Sequence, residues 1–333
     1  MLFYSFIWLI LLIVSFAKPQ KSFVYYLSVL FLVLLAGLRD VTIGTDTPTY
    51  YDIYRWISDN DSTYVEPGWY FLNKLIIGVG GDFTTLLLVT SILTFIPLIY
   101  VSNHHLEYRN KILFLFYSMF FYLNTFNGMR QYLAVSIGLM VFDLYRQKKI
   151  LWSLLLTALA ITIHFSAVFL LLIYIVKVVN WNTTKLFVAL LISFVIGCVA
   201  DDSFFLMFLG KYVNQFEKYG YRGSSFIVYF LTIVMNFLTI FVHKTKSKNI
   251  DEFWFKVFVI GIILLNLTFR LELGARLILY FTIAQIVFFP MYMAKQSRII
   301  NFLVLIYFAM LFFRNFIGEE TGGDIIPYKS VLF

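Results

Sequence analysis

Carboxylates, an arginine, glycine turns and aromatic rings collect in one polar stretch between two apolar runs. It reads Arg39-Asp40-Val41-Thr42-Ile43-Gly44-Thr45-Asp46-Thr47-Pro48-Thr49-Tyr50-Tyr51 and resumes at Glu66-Pro67-Gly68-Trp69-Tyr70. Side chains of these types can bind an anion, hold a ring-shaped ligand and take up a proton. The stretch is read as one wall of an active site at a membrane surface, completed by Arg130, His164, Arg270, Glu272 and Arg276.

Each residue also has a plainer reading. Arg39 ends an apolar run and can snorkel to lipid headgroups. Arg130, beside Gln131, opens a long apolar helix after Asn127-Gly128-Met129. A cation there opposes the helix macrodipole, whereas an anion would meet free backbone N–H groups. His164, between Thr162 and Ser166, fits a satisfied core histidine as well as a proton acceptor. Arg270, Glu272 and Arg276 suit an internal ion-pair network, or a diphosphate clamp with a proton acceptor beside it. Asp46 is also an ordinary turn residue. The rings of Tyr50, Tyr51, Tyr54, Trp56, Trp69 and Tyr70 fit a sugar path or an interfacial belt. Ionisable groups of membrane segments are functional hypotheses by default, and here they gather on one face.

The elements that must position these groups are apolar. Of 333 residues, 61% are hydrophobic and 13% charged, about half the charged share of a soluble domain. The apolar residues come in blocks long enough to cross a bilayer core of about 30 Å as helices. They do not alternate as barrel strands would, and lipid admits only helices or closed barrels. The expected fold is all-α, one polytopic integral membrane domain over 1–333 with about 12 transmembrane helices. The spans are placed at 2–17, 22–38, 83–101, 112–126, 130–145, 150–163, 165–179, 185–200, 224–243, 256–270, 276–294 and 298–314. The N-terminal run, without a basic region or small-residue cleavage site, is expected to be a retained span.

With the Lys18/Lys21 joint inside, fifteen of the 26 Lys and Arg and four of the 18 Asp and Glu fall on that side, as the positive-inside rule requires. Residues 39–82 and 201–223 become outer loops and 315–333 an outer tail. Parity makes 67–81 an interfacial or re-entrant helix. The net charge of +8 is accounted for by these inner anchors, and no nucleic-acid partner is expected. Cys198 is the one cysteine, so no disulfide framework is possible. His104 and His105 are adjacent, which on a helix sends them to different faces. No HExxH, GxSxG, P-loop or strand-borne GxGxxG occurs. No metal and no nucleotide cofactor is expected.

Gly37-Leu38-Arg39, the Gly44–Tyr50 stretch and Glu66-Pro67-Gly68-Trp69-Tyr70-Phe71-Leu72-Asn73 resemble the first outer loop of the EpsG family. Arg130-Gln131-Tyr132-Leu133-Ala134 and His164-Phe165-Ser166-Ala167 resemble its central signature, and Ile326-Pro327-Tyr328-Lys329 its C-terminal tail. The resemblance implies a Wzy-type polymerase of the inner (cytoplasmic) membrane, building O-antigen, capsule or exopolysaccharide. Donor and acceptor would be undecaprenyl-diphosphate-linked repeat units, surrounded by membrane lipids, with a chain-length regulator protein as partner. The implied chemistry is glycosyl transfer with a lipid diphosphate leaving group, which needs cations at the developing charge and a base for the sugar hydroxyl. Arg130, Arg270 and Arg276 fit the first need, with Arg39 in support and Gln131, Tyr50 and Trp69 lining the substrate. His164 and Glu272 compete for the second, with Asp46 or Glu66 behind, and imidazole is preferred because it ordinarily titrates near neutral pH. A transporter or flippase, or an outer-face ligase, is the alternative. A transporter predicts central charges in two related halves, which the sequence does not offer.

Overall fold

The computed structural model describes residues 1–17, 22–60, 65–176, 178–199, 226–247, 250–270, 272–316 and 323–332. The expected 201–223 loop lies outside them. No strand occurs among the described residues, and one isolated bridge joins Arg39 to Ser330. The helices are α1 (Leu2–Ser15), α2 (Ser22–Gly37), α3 (Thr47–Asn60), α4 (Pro67–Gly78), α5 (Phe83–His104), α6 (Arg109–Ser118), α7 (Phe121–Asn124) and α8 (Met129–Arg146). They continue as α9 (Ile150–Ile163), α10 (Ile173–Val176), α11 (Thr183–Val199), α12 (Phe226–Thr245), α13 (Glu252–Thr268), α14 (Glu272–Thr282), α15 (Gln285–Met293) and α16 (Arg298–Arg314). A 3-10 segment, Phe165–Leu172, precedes α10.

Among the described residues, three helices are long and apolar enough to cross a membrane: Phe83–His104, Val228–Thr245 and Arg276–Met293, the last running through α14 and α15. Shorter apolar helices accompany them, including α1, α2, α9 and α11. Some expected spans are interrupted. The 112–126 block divides at Phe120, whose φ of 64° is left-handed and ends the helical path. The 165–179 block starts as a 3-10 helix.

The polar stretch between α2 and α5 is itself folded into two helices, of which α3 was not foreseen. Helix α4 has 12 residues, about 18 Å at 1.5 Å per residue, too short for a bilayer core of about 30 Å. Pro67 occupies the first turn of α4, where its missing N–H is no loss. Asp82 starts α5 with a reciprocal capping box, accepting from the Thr85 N–H at 2.8 Å.

The described residues pack as two compact units: Met1–Val168 with Phe289–Phe333, and Phe169–Phe288. In the first, α8 is buried along nearly its whole length and packs on α5 and α9. There α2 also lies on α5, α1 on α6, and α4 on α9. Tyr50 and Tyr54 of α3, Trp69 and Ile76 of α4, Phe83, Leu86 and Leu87 of α5, and Met129 of α8 form one apolar cluster. That cluster fixes the 39–82 stretch to the start of α8. The segment 323–332 closes on the same region, with Asp40 N–H donating to Lys329 O and Val331 N–H to Leu38 O, each at 3.0 Å. In the second unit, α13 packs on α11 and α14, and α12 on α11 and α13.

Candidate active site

Three helix ends of the first unit converge. Glu66 is the N-cap residue of α4, yet its carboxylate makes no cap bond. It is left to reach the other two ends. His164 terminates α9 with extended backbone, φ −152° and ψ 118°, and its Nδ1 lies 3.0 Å from Glu66 Oε1. Arg130, in the first turn of α8, donates from Nη1 to Glu66 Oε2. The Phe165 N–H adds a longer bond, 3.5 Å, to Oε1. The side chains of Arg130, Glu66 and His164 keep 23%, 22% and 21% of their surface, enclosed but open to a ligand.

Close backbone approach makes this possible. A Cβ added at Gly68 would sit 2.5 Å from Thr162 Oγ1 and 2.8 Å from Thr162 O. Helix α4 therefore reaches the end of α9 only because residue 68 has no side chain. Gly68→Ala is expected to push α4 off α9 and separate Glu66 from His164. Overpacking costs typically about 1–3 kcal/mol, while a misplacement of about 1 Å can cost about 10²-fold in rate. The rate should fall while most of the protein stays folded, as parallel rate and unfolding measurements would show. Equal losses in both would make Gly68 a packing residue only.

Burial alone would raise the Glu66 pKa. The His164 hydrogen bond and the Arg130 charge outweigh it and hold the carboxyl down to about 2. An ionised carboxylate only accepts hydrogen bonds, so the proton between the two sits on His164 Nδ1 and leaves Nε2 as the basic nitrogen. A carboxylate so weakly basic is a poor proton acceptor, and it is placed to orient the His164 ring. Because the folded pKa is depressed, the stabilisation is complete above the ordinary value of about 4.5 and fades as pH falls toward 2. The Tm difference between wild type and Glu66→Gln should shrink as pH falls from 5 to 3. A pH-independent difference would remove the ionised carboxylate from the account.

The remaining expected site residues lie as follows. The Arg130 guanidinium stands 5.7 Å over the Tyr50 ring, and Tyr50 packs edge-on against Trp69 at 5.6 Å. Trp69 is fully enclosed and Tyr50 nearly so, so they support Arg130 and are not open sugar platforms. Tyr51 and Trp56 are the exposed rings of that helix. Gln131 is buried. Asp46 is exposed just before α3, where its carbonyl accepts from the Tyr50 N–H at 3.1 Å.

Arg39 is a correction. It is 2% exposed, donates to Ala36 O and Phe126 O, and lies 4.9 Å over the Phe126 ring. Its two Nη groups join α2 to the Phe126 turn while its buried Nε has no partner, and at this burial it does not snorkel to headgroups. His104 and His105 also differ from expectation, since both face buried Asp143, at 2.8 Å and 3.8 Å. His104 ends α5 and His105 lies beyond it, so helical phase does not separate them. Arg270, Glu272 and Arg276 belong to the second unit. There Arg270 Nη1 donates to Cys198 O at 2.7 Å, Glu272 opens α14 and Arg276 follows one turn later. Among the described residues no His, Cys, Asp and Glu group is arranged to hold a metal ion.

The sequence pattern of the EpsG family matches residues 22–330. The chain belongs to the EpsG family. The match covers α2 through the C-terminal segment, and so includes Glu66, Arg130 and His164. Family membership and the apolar helices together make this EpsG-family chain a membrane protein and point to a polysaccharide-polymerase role. No curated protein and no solved structure matches it.

Proposed function

We propose that this EpsG-family protein joins undecaprenyl-diphosphate-linked oligosaccharide repeat units into a polysaccharide. It would do so on the outer face of the cytoplasmic membrane, through about twelve spans. The observation that carries the reading is the Glu66–His164–Arg130 group. Glu66 accepts from His164 Nδ1 and fixes the ring. Nε2 takes the proton of the acceptor hydroxyl as its oxygen attacks the anomeric carbon of the donor. The bond from that carbon to the lipid diphosphate breaks, and the electron pair leaves with the diphosphate. Arg130, held between Glu66 and the Tyr50 ring, supplies positive charge where the diphosphate develops it. The bond to diphosphate supplies the driving force, so no nucleotide is consumed.

A base and a cation meeting at helix ends serve bond transfer better than passage through the bilayer, which favours an enzyme over a transporter or flippase. An outer-face ligase would use the same donor and differ only in its acceptor. The test is the surface glycan of a deletion strain on a gel that resolves one repeat from many. A single-repeat product, with the ladder restored by the wild-type gene, is the expected result. A normal ladder contradicts the polymerase, and loss of even the single-repeat product indicates a flippase or ligase.

A further inference from the structure

The turn that launches α8 is held from outside the helix. Its N-cap residue is Gly128, which brings no side-chain cap bond. Phe126, four residues before Arg130, supplies the anchor instead. It is fully buried, and its carbonyl accepts from Thr47 Oγ1 at 2.8 Å and from Arg39 Nη2 at 3.5 Å. Thr47 is itself enclosed and also donates to Ile43 O at 2.7 Å, so its single hydrogen is shared between two carbonyls. Tyr50, whose ring lies under the Arg130 guanidinium at 5.7 Å, follows Thr47 by one turn of α3. One hydroxyl therefore ties together the two lengths of chain that carry the Arg130–Tyr50 contact.

The loop before Thr47 is in turn strapped down by the C-terminal segment. Gly44 N–H donates to Asp324 O and Thr45 N–H to Gly323 O, each at 3.0 Å, and Thr45 Oγ1 donates to Asp324 Oδ2 at 3.0 Å. Gly44 and Gly323 both have left-handed backbone, with φ of 96° and 79°. A Cβ at Gly44 would sit 2.6 Å from Phe126 O, and one at Gly323 would overlap the Asn127 amide. Three lengths of chain thus meet at the Phe126–Asn127 turn with no room between them. We propose that Thr47 is a positioning residue for Arg130, and that the 323–332 segment is the strap that keeps Thr47 in place. A shift of this turn moves the guanidinium relative to Glu66 and leaves the Glu66–His164 contact, which α4 and α9 make between themselves. The inference deepens the proposed function and rests on it for what Arg130 does.

The test uses the full-length protein in phosphatidylcholine nanodiscs. Thr47→Val keeps the shape and removes the hydroxyl, Thr47→Ser keeps the hydroxyl, and Gly323→Ala disturbs the turn from the strap. Tm is followed from pH 5 to 3. The His164 bond and the Arg130 charge hold the Glu66 carboxyl down against its burial, so a misplaced Arg130 removes stabilisation that is present above the ordinary carboxyl value and fades below it. The Tm deficits of Thr47→Val and Gly323→Ala are therefore expected to shrink as pH falls from 5 to 3, and Thr47→Ser to match wild type. A deficit of the same size at every pH, or none, would overturn the proposal and leave Thr47 a packing residue. The rate of glycosyl transfer gives a second reading. Thr47→Val is expected to slow wild type about tenfold, part of the loss that a misplacement of about 1 Å can cause. It should slow Arg130→Lys far less, because the geometry it serves is already gone. Equal slowing in both backgrounds would also overturn the proposal. Failure of the folded wild type to lengthen any glycan would refute the polymerase, and the pH measurement would still decide the positioning.

Discussion

Replacing His164 with glutamine lowers the rate of glycosyl transfer by about 10²–10⁴-fold, the usual contribution of a positioned general base. Glutamine is close in size and its amide N–H can still donate to Glu66, so the end of α9 keeps its partner. What it lacks is the basic nitrogen that imidazole presents once Nδ1 is committed to Glu66 Oε1 at 3.0 Å. Initial rates for the purified variant, at equal abundance and with its Tm measured alongside, separate chemistry from folding. A glutamine variant as fast as wild type would reduce His164 to a strut between α9 and α4. Loss of activity with an equal loss of folded protein would do the same.

Arg130→Lys has the second largest expected effect, about 10²-fold in rate. The charge is kept and the fork is lost. The guanidinium binds Glu66 through Nη1 and lies over the Tyr50 ring, which leaves Nη2 for a phosphate oxygen. An ammonium is a point charge on a flexible stem and, once drawn to Glu66, has less to offer a second anion. Folding should change little, because the ion pair survives. Arg130→Ala should differ, since a half-buried carboxylate that loses its cation destabilises the fold. The expected pattern is a lysine variant that is slow but stable, and an alanine variant that is slow and less stable. A lysine variant at full rate would remove Arg130 from the diphosphate.

The helices were legible because apolar blocks between basic joints admit few alternatives in lipid. Glu66, Arg130 and His164 were each visible as candidates, but their union was not. Glu66 stands 64 residues from Arg130 and 98 from His164. What joins them is a contact of Gly68 with Thr162 that no local pattern announces. The glycine was in view inside Glu66-Pro67-Gly68-Trp69 and could have been read as a close-approach position. Glu66 was ranked as a reserve base because a lone carboxylate carries no sign of the histidine and arginine that depress its pKa. Arg39 misled for a related reason. At the end of an apolar helix it looks like an outer cation, and only the returning 323–332 segment and Phe126 show that it is enclosed. Tyr50 and Trp69 read as sugar path or interfacial belt, and the packing of α3 on α4 encloses both.

The most direct test is the purified protein, reconstituted in liposomes, given a synthetic lipid-diphosphate-linked repeat unit as donor and acceptor and nothing else. The account predicts a ladder of lengthened lipid-linked glycan with release of polyprenyl diphosphate, lost with His164→Gln while the lipid substrate remains bound. No lengthening by the folded wild type, or lengthening unchanged in the His164→Gln variant, would contradict it.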